Sequence, residues 1–403
     1  MDHLAGISSI CEDNDLLSFY QTSYRVRDVR STLRKVWKLR QIMGVTRVAD
    51  ITELDRLGIP VATVCRPKVH ETQITAAQGK GIRGIDAIVS ALLEAVERHS
   101  ASVYQKTIVA TIPELNSSNR QYVSPSILGI ESFGNKKIEW VSATSLRTGQ
   151  ANLVPASEVL FPYNPGNDTF RPTRPSTTGL ASGNTIAEAI LHALFEVIER
   201  DTVSKYLEGG QGKLLDLNSL KKNSDEQRLV KTFIDAGIDL FILDLSELSP
   251  TATFRVFTFD HYSIGPQIII GGQGSHIHPA VALRRALAET AQSRVVSIQA
   301  SREDLIRHAE DWNSDYDEVI RNLELIRELA KRNGMSSLKQ VSFDRLLTIK
   351  DTLCFLCEKI NTIGFSDILY TDLTDPQLGI PTVHVVVPGM IDIIVDPNRR
   401  RNV

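Results

Sequence analysis

The segment ALFEVIERDTVSKY, residues 193–206, sets two carboxylates, Glu196 and Glu199, in a run of Ala, Leu, Phe, Val and Ile. ALLEAVERHSASVY, residues 91–104, repeats the pattern, with Glu94, Glu97 and Arg98 at the offsets of Glu196, Glu199 and Arg200. At about 100° per residue, Ser90, Glu94 and Glu97 share one face of a first helix. Glu188, Glu196 and Glu199 fall in one arc of a second, with Asn184 at its N-terminal edge. A third segment, PAVALRRALAETAQSRVVSIQAS, carries a comparable stripe of Arg285, Glu289 and Gln292. A helix that is apolar nearly all round is a buried helix, so these acids are not a solvated face. Acids at i,i+3 repel, and more strongly where water is excluded. Something positive has to compensate.

Two kinds of partner fit. Arginines could bridge the helices; Arg98 and Arg200 adjoin Glu97 and Glu199, but neighbouring helix positions point about 100° apart and reach other partners. The other is Mg²⁺, a hard cation that takes oxygen ligands and is commonly shared between carboxylates and substrate phosphates. Five acids on two similar helices could hold more than one such ion.

A phosphate-bearing partner would need a place to bind. No GxxxxGK[ST] loop is present. Gly79-Lys80-Gly81-Ile82-Arg83-Gly84 matches GxGxxG ahead of the first helix. It is a weak dinucleotide signal, because ETQITAAQ before it makes a poor buried parallel strand. Such a turn could still offer backbone N–H groups and Lys80 to an anion, or be a plain tight turn. PSTTGLASGN before the second helix is a second candidate on the same logic. His192 reads as a core histidine, His276 and His278 as loop residues, and the Cys354–Cys357 pair as helix packing, since no further zinc ligands lie at compatible spacing.

Stepping outward from these residues, the positioning elements are helices interleaved with short strands. VTRVADITELDRLGIPVATVCRP reads as strand, turn, strand; IEWVSATSL, DAGIDLFILDL, TFRVFTF and QIIIGGQGS are runs of strand length. Asn184 or Thr185 can cap the second helix, which runs to about residue 208, and Pro279 favours the start of the third. The N-terminal segment, residues 1–45, ends in a basic helix, RSTLRKVWKLRQIMG. Residues 302–345 read as a charged helical insert or outer layer, and GIPTVHVVVPGMIDIIVDP as strand-rich before Arg399, Arg400 and Arg401. The chain has 403 residues, 42% hydrophobic and 23% charged, with formal net charge −3. That balance argues against a dedicated nucleic-acid binder. No apolar run is long enough for a membrane helix, and four cysteines with no signal-like N-terminus point to a cytoplasmic protein.

GKG followed by SALLEAVER, then TTGLASGNTIAEAILHALFEVIERD, then HPAVALRRALAETAQSR, closely resembles the YcaO family, with the three blocks in the family's order. The match extends from about Thr46 to Asp396, making residues 46–403 one YcaO domain. The resemblance implies an α/β (α+β) fold whose pseudo-symmetric acidic helices pack on mixed β-sheets around an ATP site. It implies an enzyme using ATP and Mg²⁺ to phosphorylate backbone amide oxygens of a ribosomally made peptide or protein. Attack by a Cys, Ser or Thr side chain then gives an azoline; in other members external sulfide gives a thioamide. By motif position, Glu94, Glu97, Glu188, Glu196 and Glu199 would hold Mg²⁺. Gly79, Lys80, Gly81, Ser90, Asn184 and Arg285 would contact the nucleotide or its phosphates, and Glu196, Glu199 and Arg200 would be catalytic. A homodimer is also expected.

Two departures bear on the branch. Azoline-forming relatives often end in a proline-rich tail, whereas this sequence has only Pro388 and Pro397 there. VTRVADITELDRLGIPV resembles members linked to thioamide formation or paired with a TfuA-type partner. The segment ahead of the shared region is short for a peptide-binding domain, so a leader-binding, E1-like or TfuA-type partner is expected to present the substrate. A non-catalytic scaffold of the same fold is the contrasting possibility; such copies should lose acids from the two helices, and here all are present.

Overall fold

The computed structural model describes residues 4–11, 16–19, 24–69, 74–104, 106–130, 134–262, 268–300, 324, 328, 333–339 and 348–401. The expected insert at 302–345 lies almost wholly outside the described residues. The elements in chain order are α1 (Ala5–Ile10), β1 (Ser18–Phe19), β2 (Tyr24–Arg25), α2 (Val29–Leu39), β3 (Arg47–Asp50), β4 (Val61–Cys65), β5 (Ala76–Lys80) and α3 (Gly84–Val103). Next come β6 (Thr107–Ala110), α4 (Ile112–Ser117), β7 (Ile138–Ser145), β8 (Ala151–Pro155), β9 (Leu180–Ser182) and α5 (Ile186–Leu207). They are followed by β10 (Lys213–Leu215), α6 (Asp225–Asp235), β11 (Ile238–Asp244), β12 (Ala252–Asp260), β13 (Ile269–His276) and α7 (Pro279–Gln299). Last are β14 (Met335–Ser336), α8 (Ile349–Thr362), β15 (Leu369–Asp372) and β16 (Thr382–Val386).

By contact the chain divides into two units. The first comprises residues 1–32, 93–204 and 343–403; the second comprises 33–92 and 205–342. The three helices singled out by the sequence are all present, and the divisions fall within α3 and α5.

The first unit is built on an antiparallel sheet in the order β6-β7-β15-β16-β9, with β8 added on β7. Its core gathers Val141, Val154, Leu180, Leu369 and Val386. All five residues of β16, Thr382 and His384 included, are buried, as in a strand covered on both faces. Of the 22 residues of α5, fifteen are buried, Glu188 and Glu199 among them. The sequence pattern of an all-round apolar helix is therefore realised as burial, and Glu188 and Glu199 have left bulk water while Glu196 keeps partial exposure.

The second unit carries the antiparallel meander β3-β4-β5 and a mixed sheet in the order β13-β12-β11-β10-β14, whose last pair is parallel. α7 packs its Ala282, Leu283, Ala286 and Leu287 with Phe254 and Val256 of β12. Gly274 permits the close approach of α7 to β13: a Cβ there would meet the Ala282 carbonyl oxygen at 2.2 Å. The segment ETQITAAQGK, which looks too polar and too small-chained for a buried strand, nevertheless forms one at Ala76–Lys80. It pairs antiparallel with β4 rather than parallel, and only its last residue escapes full burial.

Candidate active site

α5 begins with its capping groups interlocked. The Thr185 hydroxyl accepts the backbone N–H of Glu188 at 3.1 Å, satisfying one orphan donor of the first turn. The Asn184 side-chain amide donates to the Glu188 carboxylate at 3.0 and 3.3 Å, and the Asn184 backbone N–H adds a bond of 3.3 Å. The N-terminal segment closes this cluster. The Val26 backbone N–H donates to Glu188 Oε2 at 3.0 Å, and the Thr32 hydroxyl donates to Asn184 Oδ1 at 2.9 Å. A buried carboxylate is tolerated here because it accepts this many hydrogen bonds. Nothing local in the sequence announces the contribution of residues 24–32.

Further along, Glu97 of α3 accepts the backbone N–H and the hydroxyl of Ser182, both at 2.8 Å. Burial pushes its carboxyl up to about 8, despite the lowering effect of the Ser182 bonds. The charges of Glu94 and Glu196 add to the rise. The residue as a whole keeps some exposure, but its carboxyl end sits away from water. Glu94 forms an i,i+4 ion pair with Arg98. Glu196 accepts the Gly179 N–H at 3.2 Å. Arg200 lies between Glu196 at 3.7 Å and Glu199 at 3.9 Å, long distances for ion pairs. Each of these arginines thus lies one turn from an acid of its own helix.

Glu94, Glu97 and Glu196 therefore form one electrostatic neighbourhood in the first unit, with Glu199 joined to it through Arg200. Glu188 stands in the capping cluster. Among the described residues, no group of three or more acids, histidines or cysteines is already gathered as a metal cage. The donor set is nonetheless chemically suited to Mg²⁺: carboxylate oxygens, one of them held protonated by its neighbours and its surroundings, which a divalent cation would reverse.

In the second unit Lys80, at the end of β5, pairs with Glu289 of α7. Gly79 is required by the packing of β5 on α3: a Cβ there would meet the Ala87 carbonyl oxygen at 2.1 Å and the Ala91 N at 2.2 Å. The GKG stretch is thus strand end plus turn, with Gly81 following and α3 beginning at Gly84. Arg285 and Ser90 are half-buried on α7 and α3.

The remaining singled-out residues take quieter places. His276 and His278 stack with ring centroids 5.4 Å apart, and burial, helped by the Arg284 charge, lowers His278 to about 4. His192 is half-buried on α5. Burial raises the Cys357 thiol to about 12, which suits helix packing rather than reactivity. Two of the C-terminal arginines are pinned: Arg399 pairs with Glu158, and Arg401 donates to Asp201 at 2.6 Å. No helix among the described residues is long and apolar enough to cross a membrane.

An α+β fold with paired acidic helices and no conventional phosphate loop defines a narrow class, and the comparisons agree with it. Residues 78–391 match the family described as YcaO cyclodehydratase, ATP- and Mg²⁺-binding; the chain belongs to the YcaO family. It is 32% identical over 373 residues to an uncharacterised protein of Methanothermobacter thermautotrophicus, covering 91% of this chain and 95% of that one. It is 29% identical over 379 residues to a protein in the tfuA 3′ region of Rhizobium leguminosarum bv. trifolii, covering 87% and 84% respectively. Among solved structures, YcaO from Methanopyrus kandleri, bound with AMPPCP and Mg²⁺, superposes with a TM-score of 0.71 at 23% identity. That match covers 96% of this chain and 98% of the other.

Proposed function

We propose that this chain uses ATP and Mg²⁺ to phosphorylate the oxygen of a backbone amide in a ribosomally made peptide or protein. A Cys, Ser or Thr side chain of the substrate then attacks the activated carbon, and loss of phosphate leaves an azoline. The observation that carries the reading is Glu97, a carboxyl group raised to about 8 by burial and by two neighbouring acids. Acids gathered in one buried neighbourhood raise one another's cost of ionisation, a cost that a bound cation would offset. When bound, ATP supplies the phosphoryl group and Mg²⁺ neutralises charge on it.

The protein's own contribution is positioning and charge. Glu94, Glu97, Glu196 and Glu199, with Glu188 from the capping cluster, hold the metal ions, and Arg200 balances the last two of the α5 acids. Asn184 and Ser90 orient the nucleotide, and Lys80 with Arg285, flanked by Gly79 and Gly81, contacts phosphates. Such a site needs no Ser–His–Asp arrangement, because phosphoryl transfer asks mainly for placement and electrostatics.

A second reading is supported by the relative in a tfuA 3′ region: sulfur attack on the same activated carbon, with a TfuA-type partner, giving a thioamide. The test is purified protein with Mg²⁺, ATP and peptides encoded beside its gene, followed by phosphate release and intact mass. A peptide lighter by one water supports the azoline; a gain equal to exchange of oxygen for sulfur supports the thioamide. ATP that is neither bound nor consumed under any of these conditions defeats both.

A further inference from the structure

The first unit contains a cavity, open to solvent, that the carboxylates do not account for. Its wall includes Val197 and Arg200 of α5, His384 and Val386 of β16, and Val395 and Arg399 of the C-terminal segment. It meets the acidic site at Arg200, the side chain that also faces Glu196 and Glu199. His384 is 2% exposed, and neither ring nitrogen has a hydrogen-bond partner among the described residues. The Ser176 backbone is near enough to favour the charged ring, though not at bonding geometry. A buried polar group without partners is costly and calls for an explanation.

We propose that this cavity is the subsite for the peptide being modified, with His384 holding one of its backbone amide groups. A neutral imidazole offers one N–H donor and one acceptor nitrogen, the complement of a peptide group's C=O and N–H. Burial lowers the ring's pKa to about 4, so it remains neutral at physiological pH and requires no counter-charge. The valines of the wall suit an apolar side chain. Arg399 on the wall is already paired with Glu158 and Asp396. The proposal deepens the function given above and rests on it: the amide would sit beside the acids that hold nucleotide.

The test is equilibrium dialysis of the full chain, free of nucleotide and metal, against a pooled library of acetylated, amidated tetrapeptides, read by mass spectrometry. Wild type should retain a subset. His384→Phe, of similar bulk but with neither donor nor acceptor, should reduce that retention about tenfold or more. His384→Gln, which restores one donor group and one acceptor, should recover most of it. Val395→Trp, at the half-buried mouth, should block retention without disturbing the core, and inorganic phosphate should not compete. Retention within about twofold of wild type in both His384→Phe and Val395→Trp overturns the proposal, as does a wild-type chain that retains nothing or one emptied by phosphate. ATP consumption is measured separately. Peptide retention without it defeats the enzymatic reading alone, whereas consumption without His384-dependent retention defeats only this subsite.

Discussion

Glu97 and Ser182 lie 85 residues apart in sequence, yet the Ser182 N–H and hydroxyl both donate to the same Glu97 oxygen at 2.8 Å. This contact fastens α3 to the strand that leads into α5, so the two acidic helices enter the site in a fixed relation. Burial nevertheless leaves the carboxyl group at about 8 instead of its ordinary 4.5, against the lowering effect of this contact. The folded chain then carries a proton that the unfolded chain has released, and the metal-free fold loses stability as pH rises from about 4.5 to about 8. Thermal melts in chelator across this range should decline, and Glu97→Gln should flatten the decline. Magnesium affinity should run the opposite way, rising with pH up to about 8 in wild type and losing that slope in the variant.

Ser182→Ala separates the hydroxyl from the backbone donor. The Ser182 bonds lower the pKa of Glu97, so removing one should raise it further and move the pH dependence of melting upward. The backbone bond remains, which limits the loss of stability to about 1–2 kcal/mol. An unchanged pH profile would show that the hydroxyl does not reach the carboxylate in solution.

Glu196→Gln keeps an oxygen for the Gly179 N–H, 3.2 Å away, while removing the charge. Its melting temperature should therefore stay close to wild type. ATP-dependent phosphate release should fall by about a hundredfold or more, the scale on which electrostatic groups contribute to such transition states. A normal rate in this variant removes Glu196 from the catalytic set. Arg200→Met is the companion, because Arg200 is the cation nearest both Glu196 and Glu199 on this helix.

Lys80 and Glu289 form a partly exposed pair, with side-chain exposures of 25% and 20%. As a stabilising contact such a pair is worth less than about 1 kcal/mol. Lys80→Met should scarcely alter the melting curve. If Lys80 contacts phosphate, as proposed, the same substitution should weaken AMPPCP binding about tenfold or more, in the range of a lost hydrogen bond to a charged group. Calorimetric titration distinguishes these outcomes.

The sequence was most informative where structure is decided locally. The all-round apolar pattern of 186–207 fixes a buried helix, and Thr185 caps it by a contact three residues long. β5 was obscured because Ala76, Ala77 and Gly79 carry almost no hydrophobic signal. The smallness of Gly79 serves the close approach of α3, which a pattern of large apolar residues cannot reveal. The acids were recognisable by type and offset, but their partners were not. Val26 reaches Glu188 across 162 residues, and such a pairing has no periodicity to read. His384 sits in VHVVV, correctly read as strand, yet its two unsatisfied nitrogens are a property of the walls around it.

The same gap between residue type and partner recurs at Arg294 on α7, two residues beyond Gln292. It is 2% exposed and donates to Asp55 at 2.7 and 3.1 Å and to Asp260 at 2.9 Å. Arg56 supplies a second cation to Asp260 at 2.7 Å. These bonds tie β12 and α7 to the loop between β3 and β4. Removing one partner of a buried ion pair leaves the other charge stranded, at a cost of about 3–5 kcal/mol. Arg294→Met should therefore lower denaturant stability by about that amount. Lysine at this position keeps the charge but not the fork that serves two carboxylates at once, so Arg294→Lys should recover only part of the loss. Equal stability of Met and wild type in urea titrations would mean that the two aspartates are satisfied without the guanidinium. A double substitution, Arg294→Met with Asp55→Asn, should be less destabilised than the sum of its parts, because the stranded charge is removed with its partner.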